Sequence, residues 1–187
     1  MARIRILVAT AAALTVAVAG TAAAGTGSAG GGHGRPAQPR EAAALTGTAQ
    51  LWRPPSAHED ITFTFDAHLA AKDNMAPEKA YGTFFFSHYK DGKGAWAKGR
   101  IDCLMTGGKT AVMTGVVTES DSPHLGKRVG ISVTDDGRED RLGYTWSNPD
   151  TGVLEVPRCM SAPPFEVVKK GTGDFEVLPW KPEYRTD

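Results

Sequence analysis

The chain has no charge excess of either sign, its 187 residues carrying 21 Lys and Arg against 21 Asp and Glu. Without a basic block or stripe, nucleic acid is not an expected partner, because phosphate recognition needs clustered positive charge. No hydrophobic run is long enough to span a bilayer. The longest uncharged apolar stretch, Ile6–Ala19, is about 14 residues against the roughly 20 a membrane helix requires. Helical periodicity is also missing: nowhere do apolar residues recur at i, i+3, i+4, i+7 for three turns, so long helices are not expected. Two cysteines are too few for a cysteine-rich scaffold or a zinc knuckle. H-E-x-x-H, G-x-S-x-G and G-x-x-x-x-G-K-S/T are all absent, so no zinc protease helix, serine nucleophile elbow or phosphate loop announces itself. The expectation is no metal and no cofactor.

What is present begins with a leader. Arg3 and Arg5 precede the apolar run, and Gly20-Thr21-Ala22-Ala23-Ala24 follows it. A charged start, a short apolar middle and small residues describe a Sec-type signal peptide over 1–24, cut after Ala24 or alternatively Ala19. The arginines are not adjacent and no cysteine follows, so neither a twin-arginine signal nor a lipid anchor is expected. The expected location is therefore extracellular, without a membrane anchor. Residues 25–41 are glycine-rich with no large apolar side chain and read as a flexible tether.

The seven phenylalanines, four tyrosines and four tryptophans all fall between Trp52 and Tyr184, which places one packed domain over 42–187. Short alternating runs cover about 44–52, 60–69, 81–90, 95–105, 109–118, 127–135, 139–146 and 173–178, separated by glycine, proline or aspartate turns. The fold expected is all-β: an antiparallel, closed or nearly closed barrel of about eight strands, with a two-sheet sandwich as the alternative. Only 70–79 could form a helical turn, and Pro77 limits it. Centring one hairpin on Asp91–Gly94 sets Phe84 opposite Ile101 and Gly99 opposite Phe86. Centring another on Thr106–Gly108 sets Ile101 opposite Met113 and Cys103 opposite Ala111. Phe63 and Phe65 then lie beside Phe86 and Phe84. One face should hold these aromatics with Ile101, Cys103, Met113, Val129, Ile131, Val133, Leu142, Tyr144 and Trp146. Thr62, Thr64, Asp66, His68, Arg100 and Asp102 should be wet, while Phe85, Val112 and Val116 look covered by the C-terminal segment.

Cys103 and Cys159, the two cysteines of an exported chain, should form one disulfide fastening the proline-rich stretch 147–172 to the barrel. That stretch, with Pro149, Pro157, Pro163 and Pro164, should not be regular sheet. Asp135, Asp136, Glu139 and Asp140 concentrate four carboxylates in six residues, read as a solvated turn neutralised by Arg138 and Arg141, with a calcium site as the alternative. Asp66 and His68 share a strand face, a carboxylate–imidazole pair that could serve acid–base chemistry. No third partner is evident: His88 should pair near Ile61 on the apolar face, His58 lies in a polar strand start, and His124 follows Pro123 in a loop. Trp52, Trp96, Trp146 and Trp180 could stack on sugars, though such scattered tryptophans also serve core and rim packing.

Ile61–Leu69 (ITFTFDAHL), Gly82–His88 (GTFFFSH), Arg100–Leu104 (RIDCL), Thr114–Thr118 (TGVVT) and Asp140–Gly143 (DRLG) resemble a set of small exported actinobacterial proteins labelled repetin. The resemblance implies secretion and a β-rich domain and carries no catalytic residue. The function expected is a secreted, non-enzymatic barrel that binds a small apolar ligand or an extracellular partner. The alternatives are an extracellular hydrolase or isomerase using Asp66 and His68, and a cell-wall or carbohydrate-binding protein.

Overall fold

A computed structural model describes residues 40–183 apart from 138, 149–151 and 153–154. The signal peptide expected over 1–24 lies outside the described residues, as does the tether up to residue 39. Glu41, assigned to the tether, instead opens the first strand. The described residues form nine strands: β1 Glu41–Gln50, β2 Glu59–Ala70, β3 Tyr81–Lys90, β4 Lys93–Gly107, β5 Thr110–Ser120, β6 Arg128–Thr134, β7 Arg141–Trp146, β8 Glu166–Val167 and β9 Asp174–Leu178. They make one antiparallel sheet in the order β8-β7-β6-β5-β4-β3-β2-β1-β9. Two 3-10 turns, Ala71–Asp73 and Pro77–Lys79, occupy the stretch where a helical turn was allowed, with Pro77 at a helix start where its missing N–H costs nothing.

The sheet curls into a nearly closed barrel. Past β1, the chain from Gln50 to Trp52 meets β8: Trp52 N–H donates to Val167 O at 2.7 Å and Lys169 N–H to Gln50 O at 2.7 Å. Residues 166–168 also bond β7 and its approach, through the Arg141–Val167 pairing and Val168 N–H to Asp140 O. Thus a two-residue strand links β7 to the chain that leaves β1. It lies within the stretch expected to be free of sheet, because it starts two residues beyond Pro164, where backbone N–H groups are again available. β9 pairs with β1 alone, and its other edge is met by side chains. Asp140 Oδ2 accepts Phe175 N–H at 2.8 Å and Asp135 Oδ2 accepts Val177 N–H at 3.3 Å. The acidic turn expected to be merely solvated therefore clasps the edge strand by satisfying donors that would otherwise be orphaned.

β2 alternates as its sequence implies, burying Ile61, Phe63, Phe65, Ala67 and Leu69. Phe63 pairs with Phe86 and Phe65 with Phe84, as expected. The next two registers differ. Asp91 and Gly92 alone form the turn, both at positive φ (51° and 73°), so Phe84 faces Gly99 and Phe86 faces Ala97. β4 and β5 turn at Gly108–Lys109, which sets Leu104 opposite Met113 and Thr106 opposite Ala111. A bulge between Ile101 and Cys103 then pairs Cys103 with Thr114 and Ile101 with Gly115. Cys103 is fully buried but belongs to the outer face, not to the aromatic interior.

That outer face is covered by the C-terminal strap, residues 156–163. The Cys103–Cys159 disulfide pins it, with a Cα–Cα distance of 5.4 Å. Asp102, expected to be wet, is 6% exposed: it accepts the Thr114 hydroxyl at 2.6 Å and Arg128 Nε at 2.8 Å, while Arg128 also donates to Val156 O. Gly130 and Gly143 let the strap lie on the sheet, since a Cβ at either would run into the carbonyl of Met160 or Pro163.

Candidate functional site

The barrel interior is filled by its own side chains. Phe63, Phe175, Leu45, Leu69, Leu104, Met113, Ile131 and Leu142 are among the fully buried residues, and Phe65 packs on Phe175 at 5.2 Å between ring centroids. At interior packing density this leaves no room for a guest in the lumen, so binding chemistry has to be sought at the surface.

Asp66 and His68 do come together, with Oδ1 of Asp66 2.8 Å from His68 Nε2. A third residue joins them that sequence spacing did not reveal. Glu41, at the bulged start of β1, places Oε1 2.7 Å from His68 Nδ1, at ion-pair distance without hydrogen-bond alignment. Tyr81 stacks on the ring at 5.6 Å. A carboxylate at each nitrogen and a ring over one face leave the imidazole no nitrogen turned toward a substrate. The group ties the starts of β1 and β3 to the end of β2, and none of it lines the barrel mouth.

The mouth is a different matter. At the end of the barrel where β3 turns into β4, a concavity of about 400 Å³ opens between the start of β2, the β3–β4 hairpin, the end of β7 and the β5–β6 loop. This is the size range of small-molecule sites. Its floor is aromatic: Phe86 lies 4.6 Å from Trp146 between ring centroids, Tyr144 is 5.2 Å from Trp146, and Phe63 backs Tyr144 at 5.6 Å. His124 stacks on Trp146 at 6.0 Å, held through Nδ1 by the Ser122 hydroxyl at 2.8 Å, and Ser122 is in turn bonded to Ser120. His88 enters from β3, opposite Ile61 as expected.

One wall of the mouth is charged and fixed. Glu59 lines it and is gripped by Arg53 at 3.2 Å and Lys90 at 3.6 Å, while Arg53 also holds Glu166 at 2.8 Å. Burial together with the Glu166 carboxylate pushes the Tyr144 hydroxyl above its ordinary range, with Arg53 opposing. Lys93 completes the rim. The arrangement offers a flat apolar surface, two imidazoles and rim ammonium groups. It contains no nucleophile poised beside a free base, and the Ser122–His124 contact is a local i, i+2 bond at Nδ1.

The tryptophans divide by location. Trp146 floors the mouth and Trp180 is tied by Nε1 to Asn74. Trp52 is 54% exposed beside the closing seam. Trp96 stands on the outer face, stacked with Phe85 at 6.4 Å under the Lys98 ammonium, and Tyr89 and Ser87 extend that patch. Thus the four do not form one platform. No spacing rule could have assembled Glu59, Phe86, His88, His124 and Trp146, because they come from three strands and a loop. The one signal was the excess of aromatic residues on a single predicted face.

Comparison with family models, with curated proteins and with solved structures finds no match, so the functional reading rests on geometry.

Proposed function

We propose that this is an exported binding protein whose barrel mouth takes a small, flat, largely apolar ligand carrying an anionic or hydrogen-bonding edge. The observation that supports this most directly is the Phe86–Trp146–His124 stack lining a concavity of about 400 Å³ on a filled barrel. A ring would lie on Trp146, and its polar edge would meet His88 and the Lys93 rim. Export fits the disulfide, which forms in oxidising compartments. A second reading, supported by the half-buried Phe85–Trp96 stack under Lys98, is adhesion to wall polysaccharide through the outer face of β3 and β4.

Titration of the disulfide-intact protein with a panel of aromatic carboxylates, followed by calorimetry, tests the first reading. Trp146→Ala should weaken binding by roughly tenfold or more, about 1.4 kcal/mol, with Trp96→Ala unchanged. If no carboxylate binds while Trp96→Ala abolishes retention on chitin or peptidoglycan, the mouth reading is wrong and the outer-face reading replaces it.

A further inference from the structure

The two imidazoles of the mouth are not equivalent. His88 makes no side-chain hydrogen bond among the described residues. His124 ends a chain of hydroxyl groups that begins at the main chain of β4. Ser120 Oγ lies 2.9 Å from Trp96 O, Ser122 Oγ 2.8 Å from Ser120 Oγ, and His124 Nδ1 2.8 Å from Ser122 Oγ. Each serine brings one proton, so the donors along the chain can be counted.

A carbonyl oxygen only accepts, so the Ser120 hydroxyl proton is committed to Trp96 O. Ser120 Oγ then accepts twice, from Ser122 N–H at 3.0 Å and from the Ser122 hydroxyl. With that proton committed, Ser122 Oγ is left as an acceptor, and the donor in its contact with the imidazole has to be Nδ1–H. Any other allocation sets two lone pairs face to face or takes this donor from Trp96 O. A neutral imidazole carries one N–H, so Nε2 is a bare lone pair. Among the described residues Nε2 has no partner, and it is not buried. The main chain around it is held: Asp121 Oδ1 accepts Trp96 N–H at 2.7 Å, and His124 O accepts Lys127 N–H at 3.0 Å. The ring that stacks on Trp146 is thus fixed in both position and tautomer.

The charges of the mouth differ in the same way. Glu59 is compensated by Arg53 and Lys90, whereas Lys93 on the rim makes no ion pair among the described residues. We infer that the mouth selects an aromatic acid bearing a hydrogen-bond donor of its own, a phenolic hydroxyl or ring N–H. The donor is given to His124 Nε2, the carboxylate meets Lys93, and the ring lies on Trp146. This rests on the mouth reading above and narrows its ligand class. Ser122, acting through His124, is a positioning residue that decides which ring nitrogen bears the proton.

The test has two parts, both on full-length protein with its disulfide intact at pH 8, where imidazole is ordinarily neutral. In long-range proton–nitrogen NMR spectra, ligand-free His124 should be the Nδ1–H tautomer, and a predominant Nε2–H form would overturn the proposal. Calorimetry then compares 3- and 4-hydroxybenzoate with their methyl ethers and with benzoate. At least one hydroxybenzoate should bind about tenfold tighter than its ether and than benzoate, because neither competitor donates to Nε2. His124→Phe keeps a ring on Trp146 and should bring the three within about twofold, with ether binding retained. Ser122→Ala frees the tautomer and should shrink the ratio, a readout that a general loss of stability does not move. Equal binding of all of them to the unaltered protein, or a ratio that survives His124→Phe, overturns the proposal and leaves the mouth reading standing. Binding of none of the five overturns both.

Discussion

Tyr144 illustrates what a single residue does at this site. Its ring is a shared wall, packed on Phe63 inside the barrel and on Trp146 at the mouth, while its hydroxyl sits among Arg53, Glu59 and Glu166. The folded protein therefore holds the phenol protonated beyond its ordinary value of 10.0. The group's contribution is fully present below about pH 10 and is lost as pH rises toward the folded value, because the unfolded chain releases the proton first. Tyr144→Phe should flatten the fall in stability above pH 10, measured by denaturant melts at successive pH values, and an unchanged slope would show that other groups govern it. His68 teaches the opposite lesson. The Asp66–His68 pairing was legible from alternation on one strand, yet Glu41 was not, because nothing local shows that β1 runs beside β2 with a bulge at its start.

Among the elements, the strap decides the outer face. Residues 156–163 contain no regular strand and are held by the disulfide, by Asp102–Arg128 and by hydrogen bonds such as Ala162 N–H to the Thr145 hydroxyl at 2.8 Å. The disulfide spans 56 residues, and on the chain-entropy view a loop of that length is worth about 4 kcal/mol. Cys103→Ala with Cys159→Ala should lower stability by about 2–5 kcal/mol and open the strap to limited proteolysis while the β2–β5 core stays protected. Equal protease resistance in the variant would show that the ion pair and glycine contacts suffice. The hairpins show how far spacing carries. The β2–β3 register followed from four phenylalanines whose alternation leaves one alignment, whereas β3–β4 and β4–β5 depended on which two residues make each turn. A bulge at Asp102 cannot be seen in composition, and it moved Cys103 from the expected inner face to the outer one.

At the scale of the molecule, closure is achieved by unequal means: long hydrogen-bonded ladders from β1 to β7, then a two-residue strand and two carboxylates at the seam. This leaves the interior filled by side chains and the mouth open, and the proposed ligand is accordingly put at the rim. The export reading makes a prediction of its own. Protein recovered from culture medium should begin at Gly25, or at Gly20 if cleavage follows Ala19, and should contain one disulfide, as read by N-terminal sequencing and mass spectrometry without reductant. An intact Met1 on cell-associated protein would remove that reading.

The sequence by itself determined the strand periods, most of the turns, the segregation of aromatics to one face and the pairing of the only two cysteines. Each is set by neighbours two residues apart or by a choice with one outcome. Tertiary structure alone decided the seam, the strap's path over Gly130 and Gly143, the mouth assembled from four strands, and the hold of Asp135 and Asp140 on the edge of β9. These depend on register and curvature, where a shift of one residue reverses a side chain and sequence distance no longer measures proximity.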